Sequence, residues 1–137
     1  MLALTRMFAV TALLTTLLLP AAQAAGIGYG ALVDQLRIEN KTKAELKETW
    51  KKYKGQEVIW SGTVAEAKTG KKNAKVYVLD SSRKNYKGVN IQVNSRDLER
   101  AAKLKRGQKI RFKGQLHNFK NHDNGAVTIS LRNAEFL

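Results

Sequence analysis

The chain has 137 residues, with 25 lysines and arginines against 11 acidic residues, a net charge of +14 and no cysteine. Disulfides, thiolate metal sites, cysteine nucleophiles and a lipid-bearing cysteine are thereby excluded. So large a positive charge costs self-repulsion and favours anionic partners such as nucleic acid, envelope polymers or lipid headgroups.

The first 24 residues have the order of a secretory leader: one basic residue, Arg6, then the apolar run Met7 to Leu19, then Pro20 and the small-residue pattern Ala22-Gln23-Ala24. That run is too short to cross a bilayer, which takes about 20 residues. Cleavage after Ala24 is expected, leaving a periplasmic or secreted bacterial protein that does not span the membrane. Packing alone must then hold the fold. Residues 25–41 read as a partly helical leader. Ala25 to Gly30 is small and glycine-rich, and Leu32 and Leu36 lie one helical turn apart. Residues 42–137 are expected to form one domain.

Thr42 and Glu45 form a T-x-x-E capping box. Leu46, Trp50 and Tyr53 follow at helical spacing, so Trp50 reads as core, and Gly55 stands at the C-terminal end. From Gln56 the period becomes two. Val58, Trp60, Gly62 and Val64 share one face of a first strand, and the lysine-rich turn Lys68 to Lys75 leads to a second strand, Val76 to Leu79. Either Val76 and Val78 point inward and Tyr77 outward, or the reverse. The polar loop Asp80 to Gly88 precedes a third strand in which Val89, Ile91 and Val93 alternate with Asn90 and Gln92. A second helix is expected over Ser95 to Arg106, capped by Ser95 and ended by Gly107. Lys109 to Phe119 forms the fourth strand, Asn121 to Gly125 a hairpin turn, and Val127, Ile129 and Leu131 face inward from the fifth.

Two segments echo each other. Lys54-Gly55-Gln56-Glu57-Val58-Ile59-Trp60-Ser61-Gly62-Thr63-Val64 and Arg106-Gly107-Gln108-Lys109-Ile110-Arg111-Phe112-Lys113-Gly114-Gln115-Leu116 share the form basic-Gly-Gln-x-aliphatic-x-aromatic-x-Gly-x-aliphatic. A glycine within a strand marks a bend or bulge, and two glycine-bent strands suit a small closed barrel. The order helix, three strands, helix, two strands is that of the OB-fold, a five-stranded Greek-key barrel. Val58, Trp60, Val64, Val89, Ile91, Val93, Ile110, Phe112, Val127, Ile129 and Leu131 would fill it.

The motif K-G-Q-x-V-x-W-x-G-x-V resembles the first strand of the tRNA-anti type of OB domain, and R-G-Q-x-I-x-F-x-G-x-L resembles its fourth. The resemblance covers Lys52 to Phe136 and is carried by structural positions. Synthetase-attached members bind tRNA anticodons; this chain is more similar to stand-alone, leader-bearing bacterial versions.

OB domains bind ligands on the outer face of strands two and three and on the loops joining strands 1–2 and 4–5. That implies a site drawn from Lys68, Lys71, Lys72, Lys75 and Tyr77, then Arg83, Lys84, Tyr86 and Lys87, then Asn90 and Gln92, then Phe119, Lys120 and His122. Cations beside rings and amides suit single-stranded nucleic acid, with phosphates on the cations and bases on the rings. The expectation is therefore a monomeric, non-enzymatic binder of a polyanion, nucleic acid or an anionic envelope component. The alternative is an adaptor for an envelope protein. No cofactor is expected. His117, His122 and Asp123 provide no metal set with a fixed third ligand, and no G-x-S-x-G elbow or phosphate-binding glycine loop is present.

Overall fold

The computed structural model describes residues 26–80 and 83–137. The expected leader, residues 1–24, and the loop positions 81 and 82 lie outside the described residues.

The chain forms helix α1 (Tyr29–Gln35), a 3₁₀ turn (Ile38–Asn40), helix α2 (Lys43–Tyr53), strands β1 (Glu57–Thr69), β2 (Ala74–Leu79) and β3 (Ile91–Ser95), helix α3 (Leu98–Ala102), and strands β4 (Lys109–Asn121) and β5 (Val127–Phe136). The strands close into a barrel in the order β1-β2-β3-β5-β4, with β3 and β5 parallel and the other pairs antiparallel. This is the OB topology.

The two echo segments pair with each other. Trp60 lies opposite Phe112, Val58 opposite Gly114, and Gly62 opposite Ile110, so each copy's glycine faces the other's aliphatic residue. The ends match as well. Gly55 N–H donates to Leu116 C=O (2.8 Å) and Leu116 N–H to Gln56 C=O (2.9 Å); Gly107 N–H donates to Val64 C=O and Val64 N–H to Gln108 C=O, both at 2.8 Å. Gly55 (φ 89°) and Gly107 (φ 87°) are left-handed, which explains why a glycine leads into each of the two strands. The echo therefore encodes a local two-fold relation that closes the barrel.

The mid-strand glycines act differently. At Gly114 the β4–β5 register shifts, as expected of a strand glycine. At Gly62 there is no shift; a Cβ there would lie 2.4 Å from Val78 Cγ1 and 2.7 Å from Leu79 O, so glycine permits close approach of β2. The β1 irregularity falls between Val64 and Glu66 instead.

The core contains Val58, Trp60, Val64, Val76, Val78, Ile91, Val93, Phe112, Leu116, Val127, Ile129 and Leu131. Fully burying a side chain such as Phe112 contributes about 2 kcal/mol. Strand two thus turns Val76 and Val78 inward and Tyr77 outward. Two interior assignments are corrected. Ile110 is half-buried, because it lies at the barrel's end. Val89 is half-buried, because β3 begins at Ile91 and Val89 is paired to Tyr86 in the preceding loop.

Three further expectations shift. Residues 26–30, expected as a small, glycine-rich leader, are tied to the barrel. Ile27 C=O accepts from Trp60 Nε1 (2.8 Å), Tyr29 stacks edge-on against Trp60, and Tyr29, Leu32, Val33 and Leu36 join the core. The second helix is shorter than expected. Asp97, not Ser95, is its cap, accepting from Arg100 N–H (3.1 Å). Ser95 closes β3 instead and donates to Ala134 C=O (2.7 Å). The helix stops early because its last turn tightens, Lys103 N–H bonding to Arg100 C=O and Leu104 N–H to Ala101 C=O. By contrast, α2 carries both hydrogen bonds of the expected capping box. Among the described residues no helix is long and apolar enough to cross a membrane.

Candidate nucleic-acid interface

The outer face of β1, β2 and β3 carries side chains in rows set by strand register. Lys68 lies opposite Lys75, and Lys75 opposite Asn94; one step along, Glu66 lies opposite Tyr77 and Tyr77 opposite Gln92. Gln92 continues that row to Ser130 on β5 and Asn118 on β4. Lys68 Nζ stands 5.7 Å from the centre of the Tyr77 ring and 3.9 Å from Glu66. The turn at residues 70–73 holds Lys71 and Lys72 exposed at the tip.

Beside Tyr77 runs a groove of about 370 Å³, lined by Ala65, Tyr77, Leu79 and Val89, by the cations Lys87 and Arg106 and by one acid, Glu66. Arg106 is held there by its Nε–H bond to Ala65 C=O (3.0 Å). A ring and apolar surface beside two cations are the elements that stacked bases and phosphates use, and Glu66 offsets one of the charges nearby through its 3.9 Å pair with Lys68.

At the other end of the face the loop before β3 docks on the β4–β5 turn. The Tyr86 ring stacks on His122, centroids 4.0 Å apart and planes 8° apart, with Lys87 Nζ 5.3 Å from the Tyr86 ring centre. Lys84 Nζ donates to Asn124 C=O (3.3 Å), and Asn124 Nδ2 donates to Asn85 C=O (3.1 Å). His122 Nε2 lies 2.8 Å from Thr128 Oγ1, which in turn donates to Val89 C=O. Burial, and then the charge of Lys120, hold His122 below the usual imidazole range, partly offset by Asp123. Arg83 is drawn to α1, where it pairs with Asp34 (2.9 Å). The same helix is anchored by Tyr29, whose hydroxyl donates to Val127 C=O (3.0 Å) and whose burial pushes the phenol up to about 12.

Two expected site residues do not face a ligand as supposed. Asn90 was expected to point outward from strand three; it is fully buried. Its Oδ1 accepts from Asp80 N–H (2.7 Å) and its Nδ2 donates to Lys84 C=O (2.8 Å), so it ties the loop to the barrel. Strand alternation fails there because position 90 precedes β3. Phe119 is half-buried and packs on Trp50 of α2, centroids 5.0 Å apart. Gln92 does face outward beside Tyr77. Lys120 is exposed on β4 opposite Thr128.

The densest basic stretch lies outside the expected site. Residues 100–113 hold seven cations and no acid. Their signal is a plain charge run, hidden by its division between a helix end and a strand. Among the described residues no group of three or more His, Asp or Glu is placed to hold a metal.

No curated protein matches the chain. Similar solved structures include an asparaginyl-tRNA synthetase from Pyrococcus horikoshii, 18% identical over 63% of this chain and 20% of the synthetase, TM-score 0.43. The chain therefore spans a fifth of that enzyme's length. A candidate nucleic acid-binding lipoprotein from Klebsiella pneumoniae is 17% identical, covering 66% of this chain and 76% of that one, TM-score 0.47. Schizosaccharomyces pombe Pot1pC bound to ssDNA is 13% identical, covering 61% and 80%, TM-score 0.37. The sequence profile of the tRNA_anti-like family matches residues 34–130, from the end of α1 into β5 and so across all five strands, and the chain belongs to that family.

Proposed function

We propose that the protein is an exported binding module that holds a polyanion, single-stranded nucleic acid in particular, across the outer face of β1, β2 and β3. The observation that supports this best is Tyr77. It is an outward-facing ring on β2, in register with Gln92, overhung by Lys68 and set in a groove flanked by Lys87 and Arg106. One base stacks on the ring, while its phosphates meet Lys68, Lys75 and the two lysines of the turn. Export rests on the leader-like order of residues 1–24, and N-terminal sequencing of the processed protein checks it.

The test is titration of a labelled single-stranded oligonucleotide between about 50 and 200 mM salt. Binding should weaken steeply with salt, by about 0.7 in log–log slope per neutralised phosphate. Tyr77→Ala should cost about 1–3 kcal/mol, the worth of one stacked base. Absence of binding at the lowest salt, or full affinity in Tyr77→Ala, overturns the reading.

A further inference from the structure

Seven cations crowd residues 100–113 with no acid among them: Arg100, Lys103, Lys105, Arg106, Lys109, Arg111 and Lys113. Two are matched, Lys103 with Glu99 (3.7 Å) and Lys113 with Glu135 (3.5 Å). Lys105, Lys109 and Arg111 are exposed, and the one acid that shares a cleft with Lys109 and with Arg111 among the described residues is Asp80, on the side away from α3. Concentrated positive charge of this kind raises the cost of the folded state through self-repulsion and is relieved by an anion.

The run also has a shape. The Tyr77 groove ends at Arg106 and Gly107. A second cleft, of about 400 Å³, begins at the next residues, Gln108 and Lys109. Leu104, Ile110 and Phe136 line it with apolar surface, and Arg100, Lys109 and Arg111 with cations. Arg100 is fixed there by its guanidinium bond to Phe136 C=O. The turn between α3 and β4 is the shared lip of the two clefts. Gly107 N–H to Val64 C=O and Val64 N–H to Gln108 C=O lock that lip to β1.

We infer that the nucleic-acid track does not end on the β1–β3 face but crosses the Arg106–Lys109 turn into the cleft at the α3 end of the barrel. There Lys109 and Arg111 take further phosphates, and Leu104 and Ile110 support a base or sugar. This rests on the binding function proposed above and extends it: the site is longer than the β1–β3 face alone, and long strands gain affinity that short ones do not.

The experiment compares a short single strand of about 5 nucleotides with a long one of about 15, inside the range of about 4–16 seen for one OB fold. Each is titrated against the full protein and against Lys109→Glu/Arg111→Glu. A control, Lys47→Glu/Lys51→Glu, makes the same charge change on α2. The cleft variant should bind the long strand about tenfold more weakly, with the salt slope reduced by about 1.4, or two contacts at about 0.7 each. Its affinity for the short strand should stay within twofold of the parent, and the control should not alter the ratio of long to short. Equal losses for both strands, or none for either, overturn the extended track while leaving the β1–β3 site standing. If the parent protein binds neither strand, the function itself fails. Circular dichroism melting confirms that each exposed double variant is folded.

Discussion

At the β1–β2 hairpin end of the sheet, Lys71, Lys72 and Lys75 are exposed, and the ion pair of their neighbour Lys68 with Glu66 spans 3.9 Å. At the β2–β3 and β4–β5 loops the same residue types are committed. Arg83 is bound to Asp34, Lys84 to Asn124 C=O, Tyr86 to His122, and Asn90 to two backbone groups. Both ends carry four of the expected basic site residues, and the bonds already made within the protein separate them. Groups tied into the protein reorganise at more cost than free ones, so under the proposed function the hairpin end is the readier receptor and the loop end the clasp.

That contrast breaks most visibly at Asn90. Asn90→Ala removes the buried side chain that Asp80 N–H and Lys84 C=O both use; both bonds are part-buried, so each lost partner costs about 1–2 kcal/mol. Denaturant unfolding should show a loss of about 2–4 kcal/mol. Next comes the stack. Tyr86→Ala should cost about 1 kcal/mol, the scale of an aromatic pair, and hydrogen exchange should quicken in both residues 83–89 and 121–125, because the two loops support each other. If only the first loop responds, the clasp is not mutual.

Acid should act in the same place. His122 sits below the ordinary imidazole range when folded, so the unfolded chain takes up its proton first as pH falls below about 6.5. Stability contributed by neutral His122 is present above that pH and is lost as pH falls through the folded value. His122→Gln should flatten that part of the stability–pH curve; an unchanged curve would remove His122 from the clasp. The smallest structural effect belongs to the hairpin. Lys71→Ala/Lys72→Ala should change stability by less than about 0.5 kcal/mol, yet weaken oligonucleotide binding measurably. The reverse pattern would exchange the roles of the two ends.

Much of the barrel was readable in the sequence because its signals are local. The T-x-x-E box, the alternation around Trp60 and Phe112, and the Gly-Gln pair ahead of β1 and of β4 all act within a few residues. What could not be read were the contacts between distant segments. Tyr29 meets Val127 across 98 positions, and Arg83 meets Asp34 across 49. No periodicity announces such bonds, so a buried Asn90 and a tethered Arg83 look in the sequence like ligand groups. Strand two was ambiguous for a related reason. Val76-Tyr77-Val78-Leu79 is apolar on both faces, and only the closed barrel, which buries Val76 and Val78 and sets Val78 against Gly62, shows which side is inward. The basic run at residues 100–113 was visible as charge but not as a surface, since its cations gather only once α3 ends early and the turn locks onto Val64.

A backbone amide NMR titration with a single-stranded oligonucleotide at low salt would decide between receptor and clasp. The expected result is that Lys68, Lys75, Tyr77 and Gln92 shift on binding while Tyr86 and residues 122–125 stay in place. Shifts confined to the clasp, with the hairpin end silent, would put the ligand at the wrong end of the sheet and overturn the assignment.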